Sequence, residues 1–261
     1  MLSKTIEIAF QLTPDQDRFY YRTIPRPLPC NPVEMNNEQH KANSYLVKDI
    51  IIGMSDGLTV PFALTAGLSG VLDTNHLIIV SGIAEIAAGC ISMGLGGFLA
   101  GQSEVEHYDF LLKREYSEIE SVPHLELKEV EDILINLGVD EKLSKQAAIQ
   151  ISQDKDRWAD FMMKLELEME RPARNRAAKS AATIATSYLV GGFIPLFPYM
   201  LVRDSHSGLI FSCLVTLMAL IIFGLLKSKV TGQPLLKGTI KVALTGVVAA
   251  AAAFFLARLV S

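Results

Sequence analysis

Five long stretches of the sequence are almost entirely apolar, and shorter polar segments separate them. They cover residues 50–72, 77–100, 180–202, 207–226 and 242–257, with the uncharged residues 238–240 ahead of the last. A helix needs about 20 apolar residues to cross the hydrocarbon core of a bilayer. The pattern therefore predicts an all-α membrane protein with five transmembrane helices, the fifth short unless Lys241 reaches toward the membrane surface. A soluble fold would instead need five helices that are apolar on every side.

Composition narrows the class of protein further. Half of the 261 residues are hydrophobic and the formal net charge is −4, which disfavours binding to a phosphate backbone. Cys30, Cys90 and Cys213 are too few and too scattered for a disulfide framework or a CxxC metal site. These features exclude a disordered protein, a nucleic-acid binder and a disulfide-rich secreted domain.

The polar segments define the domain organisation. Residues 1–44 contain five prolines and predict a loose N-terminal cytosolic extension, 45–102 hold the first two spans, and 177–261 hold spans three to five. Between them lies a helical insert, residues 103–176. From Glu104 to Glu170 it carries 18 acidic and 8 basic side chains, a local balance of −10.

Basic residues next to the spans predict the orientation. If the five spans alternate, the short loops on one side hold only Arg203, and the other side holds Lys48, Arg171, Arg174, Arg176, Lys179, Lys227, Lys229, Lys237 and Lys241. Basic residues accumulate on the cytosolic side of membrane proteins. The N-terminus and the insert are therefore expected in the cytosol, and the C-terminus outside the cell or in a lumen.

Two acidic residues interrupt the apolar spans. Asp56 lies in the first span and Glu85 in the second, where Gly89, Ser92, Met93 and Gly96 continue a polar face. A carboxylate at the bilayer centre costs about 2.5–3.5 kcal/mol on insertion scales, so such residues usually face a bundle interior or a water-filled path. The two acids, with the Met93 thioether two turns beyond Glu85, favour a cation path over a purely structural role.

The first span also carries a motif for close helix packing. Asp49 and Gly53 share a face with Asp56, and Gly53 with Gly57 forms a small-xxx-small pair. We expect this pair to bring the first spans of two subunits together in a symmetric homodimer. A cysteine at position 60 should then crosslink the subunits.

Periodicity divides the acidic residues of the insert into two kinds. The second span should continue as a helix to about Glu120, a second helix should end at Gly138, and a third should run from about Asp154 to a stop before Pro172. Five acids fall on the apolar faces of these helices: Glu115, Glu118, Glu126, Glu129 and Glu166. Five others fall off those faces and predict a solvated surface: Glu120, Asp132, Asp140, Glu141 and Asp154.

Carboxylates on core-facing positions repel one another and lose hydration, and a bound divalent cation would resolve both problems. Glutamate oxygens with a methionine sulfur suit Fe²⁺ or Mn²⁺ better than a structural Zn²⁺ site, although Zn²⁺ stays a candidate. The alternative is ion pairing with Lys113, Arg114, Lys128 or Lys164. Glu104 and His107 have the E-x-x-H spacing of di-iron carboxylate proteins, but no second such pair exists.

Four stretches of the sequence resemble the vacuolar iron transporter family, which includes the yeast-type vacuolar calcium-cross-complementer proteins. They are DIIIGMSDGLTVPFALTAGLSG at 49–70, GIAEIAAGCISMGLGGFLAGQSE at 82–104, DFMMKLELEME at 160–170 and GGFIPLFPY at 191–199. The resemblance covers roughly residues 45–260. The insert argues against the nodulin-like branch of the family, which lacks it.

The resemblance implies a homodimer of five-span subunits that exchanges cytosolic Fe²⁺, often also Mn²⁺, for protons from a vacuole or from outside. It implies a transmembrane metal site at Asp56, Glu85 and Met93. It also implies a cytosolic metal site at Glu115, Glu118, Glu126, Glu129, Met162, Met163 and Glu166. The expectation is thus a metal/proton antiporter without a prosthetic group, in a vacuolar or other endomembrane or, in bacteria, the plasma membrane. A di-iron carboxylate enzyme and a membrane-anchored metal buffer or sensor are the alternatives.

Overall fold

The chain folds into α-helices throughout the part that the structure describes. The computed structural model describes residues 32–173 and 175–260, with side chains from residue 44 onward. Its helices are α1 (Pro32–Ser69), α2 (Asn75–Ser121), α3 (Pro123–Asn136), α4 (Glu141–Ile151), α5 (Lys155–Leu165), α6 (Arg176–Leu201), α7 (Ser205–Val230) and α8 (Leu235–Val260). The all-α expectation is confirmed for these residues.

Five helices are long and apolar enough to cross a membrane. These are the segments Ser44–Ser69, Asn75–Ser121, Arg176–Leu201, Ser205–Val230 and Leu235–Val260. The number and positions of the predicted spans are confirmed. The fifth is longer than expected, because α8 begins at Leu235 and includes Lys237 and Lys241 in its first turns.

Helix α1 begins before the expected start of the first span. Its first residue is Pro32, within the segment that we expected to be a loose extension. Proline fits the first turn of a helix, where its missing N–H has no helical partner. The prediction for residues 1–31 lies outside the described residues.

Helix α2 extends far beyond a bilayer. It has 47 residues and spans about 70 Å at 1.5 Å per residue, more than twice the roughly 30 Å hydrocarbon core. Its apolar part is Leu77–Ala100, and Gln102–Ser121, which carries its charged residues after Glu85, continues the same helix as the first helix of the insert. The predicted continuation to about Glu120 is confirmed, and Pro123 opens α3 directly after it.

Glycines allow α6 to pack closely against two other spans. A side chain at Gly97 would contact Ile184 Cδ1 at 2.7 Å, and one at Gly101 would contact Ala177 Cα at 2.7 Å, so small residues of α2 face α6. On α1, a Cβ at Gly57 would lie 2.9 Å from Tyr188 Cα. These contacts all lie within one compact unit, which begins at Tyr45.

The prediction that Gly53 and Gly57 pack against the first span of a second subunit is wrong. A Cβ at Gly53 would lie 2.8 Å from Ser187 Cβ, so the pair contacts α6 of the same chain instead of α1 of a second chain. The motif predicts that a helix approaches closely, but it does not state which helix.

The insert is a small helical domain with its own core. The polar part of α2 packs with α3, α4 and α5 around Ile119, Val130, Ala148, Trp158, Ala159 and Met162. The Tyr116 hydroxyl bonds Asp156 Oδ1 at 2.8 Å, which fixes α5 against α2. Helix α4 was not predicted, because its buried residues are the small Ser144 and Ala148. Helix α5 ends at Leu165, several residues before the predicted stop.

Candidate metal path and acidic cluster

The first part of the candidate site lies inside the spans, at Glu85 of α2. The Tyr188 hydroxyl of α6 donates a hydrogen bond to Glu85 Oε1, and Gly89, one turn along α2, makes room for the Tyr188 ring. Glu85 Oε2 is buried and has no hydrogen-bond partner. Half of this carboxylate is therefore held by the protein, and its other oxygen can still accept a proton or a cation.

Asp56 of α1 approaches the same tyrosine. The backbone of Gly57 packs on that of Tyr188, and Asp56 lies close enough to the Tyr188 hydroxyl to interact with it electrostatically. Asp56 is half-buried, as is Glu85. Tyr188 therefore contacts both spans that carry an acid: its hydroxyl bonds Glu85, and its backbone packs on Gly57, the residue after Asp56. We call Asp56, Glu85, Met93 and Tyr188 the membrane site.

Sequence reasoning missed Tyr188. It stands in an uncharged span, so no acidic or basic residue drew attention to it. A usable signal existed, because a buried tyrosine hydroxyl needs a hydrogen-bond partner and the neighbouring span offers a carboxylate.

The predicted polar face of α2 is only partly directed at α6. Met93 is half-buried two turns beyond Glu85, about 12 Å along the helix axis. Ser92 and Gly96 are exposed on the outer surface of the chain, and nothing lies within 4 Å of a Cβ at Gly96. Ser92 and Gly96 follow Glu85 by nearly whole helical turns and so share its direction, which places this polar face at the margin of the contact with α6 rather than inside it.

The second part of the candidate site is an acidic cluster in the insert. We define it as Glu115, Glu118, Glu126, Glu129 and Glu166, the five acids that periodicity singled out. They come from α2, from α3 and from the end of α5. Each lies close enough to others of the set to act on them electrostatically. The fold thus brings together carboxylates that are up to 51 residues apart in the sequence.

Burial within the acidic cluster is uneven, which corrects part of the prediction. Glu115 is 1% exposed and Glu126 is 5% exposed, whereas Glu129 and Glu166 are exposed to solvent. Glu118 is half-exposed and accepts a hydrogen bond from Arg114 Nε at 3.2 Å, as the ion-pair alternative expected. The apolar faces of α3 and α5 do not stay buried along their whole length. The desolvation argument therefore applies to Glu115 and Glu126.

Glu115 and Glu126 lack the partners that buried carboxylates normally have. Both Glu115 oxygens and Glu126 Oε2 are buried without a hydrogen bond, and the nearest Arg114 nitrogen lies 4.0 Å from Glu115 Oε1. Burial, and then repulsion by neighbouring glutamates, raises the pKa of each to about 7. Both residues lie outside the apolar part of α2, in the insert. A divalent cation would supply the missing counter-charge.

The predicted methionines are both fully buried beside the acidic cluster. Met162 packs in the core of the insert with Ile119 and Val130, and Met163 is the next residue of α5. Met162 therefore has a structural role whatever its sulfur contacts. Glu166 follows at the end of the same helix.

Other acidic residues lie where the sequence placed them. Glu120, Asp132, Asp140, Glu141 and Asp154 are all exposed, as predicted. Glu104 pairs with Arg176 at 3.4 Å and His107 is exposed, so this E-x-x-H pair does not join the acidic cluster. Among the described residues, no three His, Cys, Asp or Glu side chains are arranged as a ready-made metal site.

The fold and these two groups of acids define the class of protein. It is an integral membrane protein with five apolar spanning helices, carboxylates within the spans and an acidic helical insert. The profile of the VIT family matches residues 47–258. The chain therefore belongs to the VIT family.

Individual relatives agree with this assignment. The chain is 46% identical over 228 residues to "Vacuolar iron transporter 1" of Arabidopsis thaliana, which covers 87% of this chain and 91% of that protein. It is 45% identical over 236 residues to "Vacuolar iron transporter 1" of Tulipa gesneriana, over 90% and 96% of the two chains. It is 40% identical over 221 residues to "Protein CCC1" of Saccharomyces cerevisiae, over 80% and 68%. The family is one of transporters and not of enzymes.

Proposed function

We propose that this protein is a divalent metal/proton antiporter that moves Fe²⁺, and also Mn²⁺, out of the cytosol into a vacuole. The observation that carries the proposal is that Tyr188 bonds Glu85 and lies within electrostatic reach of Asp56, in apolar stretches of three helices. Charged groups in such a position are costly and usually serve a transport path. The names of the relatives support iron as the cargo.

The same carboxylates can couple metal and proton movement. An oxygen that holds a proton binds a metal poorly, so metal binding to Asp56 and Glu85 would release protons. Glu85 Oε2, buried without a partner, is the atom best placed for this exchange. Met93 would add a soft sulfur ligand, which favours transition metals over Mg²⁺ or Ca²⁺.

The acidic cluster would capture metal before it enters the membrane site. Both Glu115 oxygens and Glu126 Oε2 lack hydrogen-bond partners, and the exposed Glu129 and Glu166 would attract cations from solvent. In this proposal Glu118 exchanges its bond with Arg114 for the metal, and Met162 and Met163 offer sulfur from α5. Fe²⁺, Mn²⁺ and, as a third candidate, Zn²⁺ would act as cargo, with no prosthetic group.

The proposal also assigns an orientation and a membrane. The insert and the N-terminus would face the cytosol, because the basic residues beside the spans lie on that side. The vacuolar membrane is supported by the names of the relatives. The C-terminal end of α8 would then lie on the vacuolar side.

We propose that the transporter is a homodimer. Within its five apolar stretches a single chain offers two acids, Asp56 and Glu85, and a second copy would double that number. Val60, one turn after Asp56, is 44% exposed and can be reached by a partner. Val60→Cys, with Cys30, Cys90 and Cys213 replaced by Ser, should crosslink in native lipid. Leu214→Cys on α7, also exposed, is the control that should not crosslink if α1 faces the partner.

Reconstitution in liposomes tests the function as a whole. Uptake of Fe²⁺, Mn²⁺ and Zn²⁺ is followed separately, with and without a pH gradient, while an internal dye reports protons. The proposal expects metal entry that requires the gradient and dissipates it. Metal binding without entry would indicate a buffer or sensor, and entry that is indifferent to the gradient would contradict antiport.

A further inference from the structure

A buried ion pair joins three helices where the insert meets the spans. Arg176, the first residue of α6, donates from Nη1 to Asp49 Oδ2 of α1 at 2.7 Å. Its Nε lies 3.4 Å from Glu104 Oε2 of α2, and its guanidinium lies over the Tyr45 ring at 4.5 Å. Arg176 is 9% exposed and Asp49 is 4% exposed, so both charges are largely removed from water.

This pair lies at the junction of the insert and the spans, on the same helix as Asp56. Asp49 precedes Asp56 by seven residues, which places it on the same face of α1, about 10 Å away along the helix axis. In the proposed orientation Asp49 lies on the cytosolic side of Asp56. A cation that approaches Asp56 from the insert therefore meets the Asp49 carboxylate first.

Arg176 already provides the positive charge that Asp49 would otherwise take from a metal ion. A free carboxylate next to the half-exposed Glu104 would attract a divalent cation and delay its passage to Asp56. The guanidinium is always charged and holds its partners in a fixed planar geometry, so it neutralises Asp49 permanently. The ion pair therefore neutralises the Asp49 charge as well as linking the helices.

We propose that Arg176 is a positioning residue of the transport path: it occupies Asp49 as a resident cation, so that the cytosolic entrance passes metal to Asp56 without retaining it. This inference rests on the proposed function. Removing Arg176 leaves the negative charge of Asp49, which should raise the apparent affinity for metal. Removing Asp49 leaves the positive charge of Arg176, which should lower it.

Transport kinetics in proteoliposomes test the inference through the sign of the effect. Arg176→Gln exposes the Asp49 charge and should lower the KM for Mn²⁺ about threefold or more, lower the maximal rate, and add a bound Mn²⁺ in purified protein. Asp49→Asn leaves the guanidinium without its carboxylate and should raise the KM, an effect that salt screens. The double variant Asp49→Asn/Arg176→Gln should return the KM toward that of the unmodified protein, as should Arg176→Lys, which keeps the charge.

A purely structural ion pair gives a different pattern. Both single variants would then reduce the amount of folded transporter and leave the KM of the remainder unchanged, and the double variant would not rescue it. That result, or KM shifts of the same sign in both variants, would overturn the inference. If Arg176→Gln does not fold, an unchanged KM in Asp49→Asn overturns it equally.

Different results would contradict the transport path and the role of Arg176. Normal flux through Asp56→Asn would contradict the path itself. Loss of flux in Asp56→Asn, together with unchanged KM values in the Arg176 and Asp49 variants, would reject only the role of Arg176.

Discussion

The Tyr188 hydroxyl of α6 donates a hydrogen bond to Glu85 Oε1 of α2, in a part of the bundle where both helices are otherwise apolar. Tyr188 also packs its backbone on Gly57, next to Asp56. One tyrosine thus orients the Glu85 carboxylate of α2 and packs against α1 beside Asp56.

Removing the Tyr188 hydroxyl should impair transport without preventing folding. In Tyr188→Phe the Glu85 carboxylate loses the hydrogen bond that orients it. A hydrogen bond to a charged group such as this carboxylate is worth about 1.5–3 kcal/mol. We expect the initial rate of Fe²⁺ uptake by proteoliposomes to fall about tenfold. Tyr199→Phe is the control, because Tyr199, also on α6, bonds Ser69 of α1 at 2.8 Å and makes no hydrogen bond with Glu85. Equal rates in both variants would exclude a role for the Tyr188 contact.

The stability of the metal-free insert should decrease as pH rises. The folded pKa values of Glu115 and Glu126 are about 7, above the ordinary value of 4.5, so the folded insert binds more protons than the unfolded chain between these values. Stability from these groups is therefore present below about pH 4.5 and is lost as pH rises to about 7. Trp158 is the only tryptophan of the sequence and lies in the core of the insert, so its fluorescence reports unfolding there. A thermal midpoint that rises from pH 5 to pH 7.5 without metal would contradict this prediction.

Bound metal should restore the stability that the insert loses at neutral pH. Fe²⁺ or Mn²⁺ at a hundredfold excess over its dissociation constant should add about 2.7 kcal/mol to the free energy of unfolding of the insert. The gain should be present at pH 7.5 and small at pH 5, where protons occupy Glu115 and Glu126. Glu115→Gln should raise stability without metal and reduce the response to it. Glu120→Gln, which breaks only an exposed ion pair with Lys155, should leave the response to metal unchanged and alter stability by less than about 1 kcal/mol.

Replacing the whole acidic cluster should separate capture from transport. With Glu115, Glu118, Glu126, Glu129 and Glu166 changed to Ala, the insert should no longer bind metal, but slow transport through Asp56 and Glu85 should continue. The expected signature is a higher KM for Fe²⁺ with flux still measurable at high metal. Complete loss of flux in correctly inserted protein would instead make the insert an obligatory part of the transport cycle.

Close packing of α1 on α6 gives a matched pair of glycine variants. In Gly57→Ala the new Cβ would lie 2.9 Å from Tyr188 Cα, so the helices must separate at a cost of about 1–3 kcal/mol. In Gly96→Ala the Cβ has nothing within 4 Å, and alanine favours a helix over glycine by about 1 kcal/mol. Thermal stability in detergent should fall for the first and hold or rise for the second. Transport should fall only with Gly57→Ala.

The sequence predicted the elements of this protein better than their contacts. Hydrophobic patterning is sufficient to locate the five spans, because each must be apolar over its whole length. It also identified Glu115 and Glu126, since both acids interrupt an apolar face that becomes buried. The same reasoning failed for Glu129 and Glu166, where the helix face continues past the edge of the core into solvent.

Contacts between residues far apart in the chain are harder to predict from the sequence than the helices are. The Gly53 and Gly57 pair predicted a close approach, but only the fold shows that α6 is the partner. The bond of Arg176 with Asp49 joins residues 127 positions apart, and Arg176 alone looked like one of several basic residues beside a span. Helix α4 was missed because an element that buries Ser144 and Ala148 has no apolar face to detect.

The central claim is that Asp56 and Glu85 carry both metal and protons, and one measurement tests it most directly. Fe²⁺ entry and proton exit are recorded simultaneously in proteoliposomes that contain equal amounts of Asp56→Asn, Glu85→Gln or unmodified protein. Asp73→Asn, which alters an exposed acid in the loop between α1 and α2, is the control. The account predicts that both fluxes disappear together in the first two variants and persist in the control. Normal metal flux in both path variants would contradict it.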